Sequence, residues 1–342
     1  MDRVTMIFVL VFATGFLIAL TLTPLAARLA LRTGAVDQPR NRHQHAQPTP
    51  KLGGLSLFVA FFAAVGVSLS YPRTDEFEMP RLIGLFIGGA LVFVVGVYDD
   101  HRELAPAPQL IAQIIAAIIV AASGVLIREV SNPFPGHFAP FETWFAFLFT
   151  LFWLVGMMNT INWLDGIDGL AGGVVLIAGA LLFAHTFNLG QNSLALLALA
   201  LLGSVLGFLL FNFFPAQIFM GSAGANVLGL ALGALSIIGG AKVGTALLVL
   251  SIPILDVAWQ IIQRVRAGKS PFSADRGHLH HRLLDLGVPQ RVIVFLYYAV
   301  TILFGALALI LPTGIYKLIA LVVIGLSAIA LLVKLSPPSP QK

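Results

Sequence analysis

Long apolar segments alternate with short polar ones over most of the chain. Each apolar segment has about 17–25 residues, the length of a helix that crosses a hydrocarbon core of roughly 30 Å. Because lipid offers the backbone no hydrogen-bond partners, each segment has to satisfy its own peptide groups, and we predict helices rather than strands. The pattern predicts about eleven transmembrane helices, at residues 4–27, 53–71, 81–98, 108–127, 142–158, 170–187, 192–213, 224–240, 242–260, 291–311 and 315–334.

The composition supports the bilayer as the solvent for most of this chain. Hydrophobic residues make up 58% of the 342 residues and charged residues only 10%, whereas a soluble domain has about 25% charged residues. We therefore predict an all-α integral membrane protein, with residues 1–334 as a single polytopic domain and 335–342 as a disordered, proline-rich tail. The absence of cysteine excludes disulfides and thiolate metal sites.

Positive charge is distributed unequally between the two sets of loops. Fourteen of the twenty lysines and arginines lie on one side, and the positive-inside rule makes that side cytoplasmic. The N-terminus is then outside and the C-terminus cytoplasmic. Because the basic residues occupy short loops, we interpret the pI of about 9.7 as a topology signal and expect no nucleic-acid partner. The basic side consists of the loops 28–52, 99–107, 159–169, 214–223 and 261–291 together with the C-terminal tail.

The polar residues that could bind a ligand or take part in catalysis lie in the same cytoplasmic loops, which predicts an active site at the cytoplasmic face. Asp99 and Asp100 end the third span, where two adjacent carboxylates are tolerable if a cation or a proton lies between them. Hard cations such as Mg²⁺ prefer oxygen ligands of this kind. A solvated helix end is the alternative for this pair alone.

In a second segment, polar residues recur every three positions, which places their side chains on roughly one face of a helical turn. Its amide and carboxylate groups suit both a metal ion and the edge of a nucleobase, and its glycines permit close approach of a ligand. The polar members of this segment are Asn159, Asn162, Asp165 and Asp168.

Three further segments carry weaker signals. Small residues in 219–226 could present backbone N–H groups to a phosphate, although tight helix packing is the favoured explanation for this segment alone. The longest cytoplasmic loop, 264–282, has three histidines and five basic residues, a density that suits a diphosphate. Anionic lipid headgroups would explain its basic residues but not its histidines. The basic loop 37–54 has either a substrate or a topology role, and Asp256 is an intramembrane carboxylate.

Taken in order, these segments resemble the polyprenyl-phosphate N-acetylhexosamine-1-phosphate transferases over nearly the whole chain. The most specific stretches are 159–171 and 275–283, and the sequence from Ser270 to Leu283 is similar to the WecA and TagO branch. The resemblance implies transfer of a sugar 1-phosphate, with GlcNAc as the default sugar, from a UDP-N-acetylhexosamine to undecaprenyl phosphate with release of UMP. This reaction is the first membrane step of cell-envelope polysaccharide synthesis, O-antigen included, at the bacterial inner membrane.

The resemblance also assigns partners and residue roles. It implies Mg²⁺, with Mn²⁺ as the alternative, and it leaves a homodimer open. It implies Asp99, Asp100 and Asp165 as catalytic residues, and Asp100 and Asp165 as metal ligands together with the position of Ser222. The residues implied in substrate binding are Lys51, Asn159, Asn162, Asp168, Phe219, Arg276, His278, His280, His281 and Arg282.

The chain departs from the family pattern at two places. The family motif Phe-Met-Gly-Asp ends here in Ser222, and a neutral hydroxyl binds Mg²⁺ more weakly than a carboxylate does. Residues 105–109 also lack a lysine that commonly follows the aspartate pair. Three explanations stay open: an engineered or inactive variant, a metal carried by Asp165 or Asp168 with help from Asn226 or Ser222, or a retained fold with changed chemistry.

A transporter or flippase for a lipid-linked or anionic substrate is the alternative from another class. Transporters place their charges near the bilayer midplane and often show internal repeats. In this chain the charges lie at one face and no repeat is found, which favours the enzyme.

Overall fold

The computed structural model describes residues 2–38, 48–73, 75–130, 140–239, 243–268, 270, 277–311 and 315–334. Within these ranges the chain forms thirteen helices and one two-stranded ribbon. The strands are β1 (Val36–Asp37) and β2 (Thr49–Pro50), which pair antiparallel. The helices are α1 (Arg3–Thr33), α2 (Gly53–Ser68), α3 (Glu78–Arg102), α4 (Pro106–Ala122), α5 (Thr143–Leu164), α6 (Leu170–Asn188), α7 (Asn192–Asn212), α8 (Gly221–Ile238), α9 (Val243–Val249), α10 (Ser251–Arg266), α11 (Leu279–Asp285), α12 (Gln290–Ile310) and α13 (Ile315–Lys334).

The all-α membrane architecture predicted from the sequence is confirmed. Eight of the described helices are long and apolar enough to cross a membrane, and α2 and α4 are shorter apolar helices. The count of eleven spans is not confirmed, and the orientation and the single domain over 1–334 stay predictions. The tail at 335–342 lies outside the described residues.

The ninth predicted span, 242–260, is a broken helix. It is divided into α9 and α10 at Leu250, whose backbone angles (φ −103°, ψ 19°) are not helical. Pro253 explains the break, because it has no N–H to donate to the carbonyl four residues earlier but fits readily in the first turn of a new helix.

The helix after this break carries a polar stripe into the protein. Asp256, Gln260 and Arg264 recur every four residues on α10, and each is 4% exposed or less. Residues at this spacing lie on one face of a helix. That face is turned toward the functional residues described below, so α10 is not a simple lipid-facing span.

Helix α8 lies at the centre of the bundle, packed against α2, α3 and α5. Small residues permit its close contacts: a Cβ on Gly96 of α3 would lie 2.4 Å from the Ala223 Cα, and a Cβ on Gly54 of α2 would lie 2.4 Å from the Gly224 nitrogen. Within a bilayer, association of helices depends on such close packing because lipid removes the hydrophobic drive between them. The contact at Gly96 also brings the end of α3 to the start of α8.

The β-ribbon anchors the start of α2 to the start of α8. The Phe219 N–H donates to the Pro50 carbonyl (2.8 Å), and the Gly53 N–H donates to the Phe219 carbonyl (3.0 Å). Lys51 lies between these two bonds, and its own N–H donates to the Ala35 carbonyl. Lys51 is thereby placed beside the residues that open α8.

Candidate active site

The predicted site residues come from separate helices but gather at one end of the bundle. This end contains the C-terminal ends of α3 and α5, the N-terminal ends of α2 and α8, and the short helix α11. The sequence prediction that these loops share a face therefore agrees with the positions of the described residues. Arg276 lies outside the described residues.

The carboxylate pair at the end of α3 faces the N-terminus of α8. Asp100 accepts hydrogen bonds from the backbone N–H groups of Ser222 (2.8 Å) and Ala223 (3.2 Å). These N–H groups have no partner within the helix, and the positive end of the helix dipole favours an anion there. The Ser222 hydroxyl donates to the neighbouring carboxylate, Asp99.

Gly221 is where three segments of the site meet. Its φ of +67° is unfavourable for a residue with a side chain. A Cβ there would lie 2.4 Å from Asp100 Oδ2 and 2.6 Å from the Lys51 carbonyl oxygen. The Lys51 side chain forms an ion pair with Asp37 (2.9 Å). A glycine at this position therefore lets α2, α3 and α8 converge.

Asp165 differs from the other carboxylates of the site in its hydrogen bonding. It follows the last residue of α5, is partly buried, and accepts no hydrogen bond from any described residue. Burial raises the pKa of its carboxyl well above the usual value, the negative charges of Asp100 and Asp168 raise it further, and Lys51 lowers it. Without a cation the raised pKa favours the protonated carboxyl, and a cation bound at this turn would favour the ionised form.

A histidine cluster lies against the same turn. His278 Nδ1 is 2.9 Å from Asp256 Oδ2, and the Leu279 N–H donates to Asp256 Oδ1 (2.9 Å). His278 also lies 5.8 Å from the Trp163 ring and 5.8 Å from the His280 ring, centroid to centroid. Asp256, an unassigned intramembrane carboxylate in the sequence, thus positions the predicted substrate loop.

His280 and His281 reach the turn after Asp165. A Cβ on Gly166 would lie 2.3 Å from His280 Nε2 and 3.1 Å from His281 Nε2. His280 is 1% exposed, and neither of its ring nitrogens has a hydrogen-bond partner among the described residues. Burial, followed by the charges of His281 and His278, lowers the pKa of His280 well below its usual value. A neutral imidazole here can donate one hydrogen bond and accept another.

A chain of three amides connects the pair of carboxylates to α5, and its central member, Gln113, has no role predicted from the sequence. Asn159 Nδ2 donates to Gln113 Oε1 (2.7 Å), and Gln113 Nε2 donates to Asn226 Oδ1 (2.8 Å). Asn226 Nδ2 donates to the Ser222 carbonyl (2.8 Å). Gln113 and Gln109, four residues apart on the apolar helix α4, were the signal for this network, because polar side chains inside spans commonly join helices.

The remaining predicted residues have varied surroundings. Asn162 is partly exposed and makes no hydrogen bond with a described residue. Asp168 is 3% exposed and accepts from the Ala216 N–H (2.9 Å). Phe219 makes the backbone bonds that join α8 to β2. Arg282 Nη1 donates to the Leu332 carbonyl of α13 (3.4 Å). These contacts leave the predicted substrate roles of all four residues untested.

The described residues include the type of ligand that a magnesium ion prefers, but they do not by themselves complete its coordination shell. They contain no group of three or more histidine or acidic residues arranged to hold a metal. Mg²⁺ is commonly bound by one or two carboxylates with substrate phosphates and water completing the shell. Asp165, whose carboxyl accepts no hydrogen bond from a described residue, is the donor that suits this arrangement, and Asp100 is the next carboxylate along the site.

Comparison with known proteins agrees with the geometry. Residues 82–240 match the family model described as glycosyl transferase family 4. The chain is 33% identical to a probable undecaprenyl-phosphate N-acetylglucosaminyl 1-phosphate transferase of Bacillus subtilis, across 90% of this chain and 85% of that protein.

Two further relatives extend the match. One is a decaprenyl-phosphate N-acetylglucosaminephosphotransferase of Mycolicibacterium smegmatis, 34% identical over 79% of this chain and 73% of that protein. The other is an undecaprenyl-phosphate α-N-acetylglucosaminyl 1-phosphate transferase of Yersinia pestis, 30% identical over 84% of this chain and 78% of that protein. The similarity spans the helices that carry the site, and the chain belongs to glycosyl transferase family 4, in the WecA-like branch of polyprenyl-phosphate sugar-1-phosphate transferases.

Proposed function

We propose that this protein transfers N-acetylglucosamine 1-phosphate from its UDP conjugate to undecaprenyl phosphate and releases UMP. The relatives in three bacteria are named for this class of transfer, two of them with undecaprenyl and one with decaprenyl phosphate as acceptor. The observation that carries the proposal here is the Asp165 carboxyl, which accepts no hydrogen bond from a described residue and lies near Asp100, Lys51 and the buried His280.

The reaction exchanges one phosphate linkage for another. An oxygen of the lipid phosphate attacks the β-phosphorus of the UDP-sugar, and the bond from this phosphorus to the bridging oxygen breaks. UMP leaves with that oxygen, and the sugar 1-phosphate is joined to the lipid. Catalysis of this kind depends mainly on positioning and on stabilising charge.

Different residues of the site bind the diphosphate, hold Asp100 in position and bind the metal ion. Lys51 and the histidines at Gly166 supply hydrogen-bond donors to the diphosphate, while the α8 N-terminus holds Asp100 in place. Enzymes of this family in general depend on a divalent metal. Mg²⁺ held by Asp165 and Asp100 would neutralise charge on the diphosphate. The charge distribution of the loops supports a cytoplasmic active face in the bacterial inner membrane.

The test is UMP release by the detergent-purified protein, supplied with UDP-GlcNAc, undecaprenyl phosphate and Mg²⁺. We expect activity in the native protein and a loss of about a hundredfold in Asp165→Asn, on the scale of removing one electrostatic contact made in the transition state. Asp75→Asn is the matched control, because Asp75 pairs with Arg81 at the opposite end of α3. It should retain activity within about twofold of the native protein.

Failure of the native protein to release UMP from any of several UDP-N-acetylhexosamines would overturn the proposal. Comparison of UDP-GlcNAc with UDP-GalNAc identifies the sugar. Two alternatives are not favoured: an inactive variant of the enzyme, and a transporter or flippase. The relatives that match most of this chain are named as transferases.

A further inference from the structure

Asp99 differs from its neighbour Asp100 because side chains of two other helices donate to it, whereas Asp100 accepts only from backbone N–H groups among the described residues. Oδ1 accepts from the Leu104 N–H (2.7 Å) and from Gln109 Nε2 (2.7 Å). Oδ2 accepts from the Ser222 hydroxyl. The side chain is only 8% exposed, so these bonds replace water for a buried anion.

The two side-chain donors lie at or beside the departures from the pattern of the family. Ser222 stands where that pattern has an aspartate, and Gln109 ends the stretch that lacks the lysine. Loss of one acidic and one basic residue leaves the net formal charge of these segments unchanged. An aspartate alone at position 222 would instead place a second carboxylate within hydrogen-bond range of Asp99, and like charges at that distance are costly.

We propose that Gln109 and Ser222 are a coupled pair of positioning residues, which hold Asp99 between α3, α4 and α8, and that Ser222 does this instead of binding a metal ion. The inference rests on the proposed function for its catalytic consequence. Asp99 is committed to these hydrogen bonds, and Asp165, which accepts none from a described residue, is the carboxylate left for a metal ion.

The position of the pair explains how it acts on the reaction. Asp99 and Asp100 are neighbours at the end of α3, so a fixed Asp99 also fixes the Asp100 backbone against the start of α8. The Ser222 carbonyl is held in turn by Asn226. A displaced Asp99 would shift Asp100 relative to Asp165, and small misplacements of reacting groups lower the rate strongly.

A lysine at position 109 with an aspartate at position 222 is the charged alternative to the neutral pair. The cavity bordered by Asp99, Gln109, Gln113, Ser222 and Asn226 has a volume of only about 10 Å³, room for about one water molecule. The side chains around Asp99 are therefore closely packed, and a charged pair has to fit the same narrow space as Gln109 and Ser222.

Thermal melting of the detergent-purified protein in EDTA tests the pair without activity or metal. We expect Ser222→Ala and Gln109→Leu each to lower the Tm, and the double variant to lose less than both losses together, because the two donors share one carboxylate. Ser222→Thr keeps the hydroxyl, and we expect this single variant to have the native Tm. Ser222→Asp should lower the Tm in EDTA, and Gln109→Lys combined with Ser222→Asp should recover it.

Kinetics then separate a positioning residue from a ligand. In Ser222→Ala we expect kcat to fall about tenfold, the effect of one hydrogen bond to a charged group, while the Mg²⁺ concentration for half-maximal activity changes less than about twofold. A Ser222→Ala protein that melts like the native protein in EDTA, or that needs about tenfold more Mg²⁺, would overturn the proposal. The melting results stand even if no UDP-sugar is turned over, so failure of the pair is distinguishable from failure of the transferase reaction.

Discussion

Asp256 shows how one buried carboxylate holds a substrate loop in place. Its two oxygens accept from different groups of the segment that opens α11, the His278 ring and the Leu279 N–H. Asp256 is 4% exposed, so both bonds lie in a region of low water content where bonds to a charged acceptor are stronger than neutral ones. The position of His278 therefore depends on a helix that contributes no residue to the carboxylate cluster.

Asp256→Asn tests this anchor. The amide keeps the shape but presents a donor where an acceptor is needed, and we expect a loss of about 1.5–3 kcal/mol in stability and a marked fall in UMP release. Asp2→Asn is the control, because Asp2 caps α1 through the Thr5 N–H and asparagine caps equally well. An Asp256→Asn protein with the native Tm would contradict the anchoring role.

His280 gives the protein a stability that depends on pH. Its pKa in the folded protein is lowered, so the folded state stays neutral while the unfolded state takes up a proton near the ordinary value of about 6.5. The unfolded state then binds more protons below that pH, and stability falls as the pH falls from about 6.5 toward the lowered value.

The variant His280→Gln removes this titration. We expect the Tm of the native protein to fall more steeply than that of the variant between about pH 7.5 and pH 5.5. His101→Gln, at an exposed histidine of α3, should leave the native slope unchanged. Parallel slopes for the native protein and His280→Gln would show that His280 is not responsible.

At the scale of elements, the contact of α3 with α8 determines the geometry of the carboxylates. Gly96→Ala would drive a methyl group against Ala223 and separate the two helices next to Asp99 and Asp100. Overpacking of this kind costs about 1–3 kcal/mol, and we expect both the Tm and kcat to fall.

Gly66→Ala is the matched control for this substitution. Gly66 is also inside an apolar helix, α2, but a Cβ there would meet nothing within 4 Å. Since alanine favours helix over glycine, the Tm of Gly66→Ala should equal or exceed the native value. Equal effects of the two substitutions would show that the close contact at Gly96 has no special importance.

The elements also show how far a sequence can be interpreted. Ten of the predicted spans correspond to single helices because a long apolar run has few alternatives in a bilayer. The ninth predicted span does not correspond to one helix. The average hydropathy of 242–260 is high enough for a span although the segment contains Pro253 and the polar stripe that begins at Asp256. Asp99 and Asp165 were found as carboxylates in polar loops, whereas the donors to Asp99 and the bond from Arg282 to Leu332 depend on which helices become neighbours.

At the scale of the whole molecule, the orientation in the membrane can be tested directly because the chain contains no cysteine. Glu103, beside the site, and Asn188, at the opposite end of α6, are both exposed. We expect a membrane-impermeant maleimide to label Asn188→Cys in intact cells and Glu103→Cys only in inverted vesicles. The native protein is the unlabelled control, and the reverse pattern would overturn the cytoplasmic placement of the site.

The hydrogen bond from Ser222 to Asp99 also has a consequence for biosynthesis. The two residues are 123 positions apart in the chain. At a translation rate of about 5–20 residues per second, Asp99 emerges on the order of 10 s before its partner has been synthesised. During that interval the aspartate pair lies at the end of a nascent span without the start of α8. The membrane insertion machinery therefore receives the aspartate pair before its hydrogen-bond partners exist, and the helix that completes the site arrives only after four others have been made.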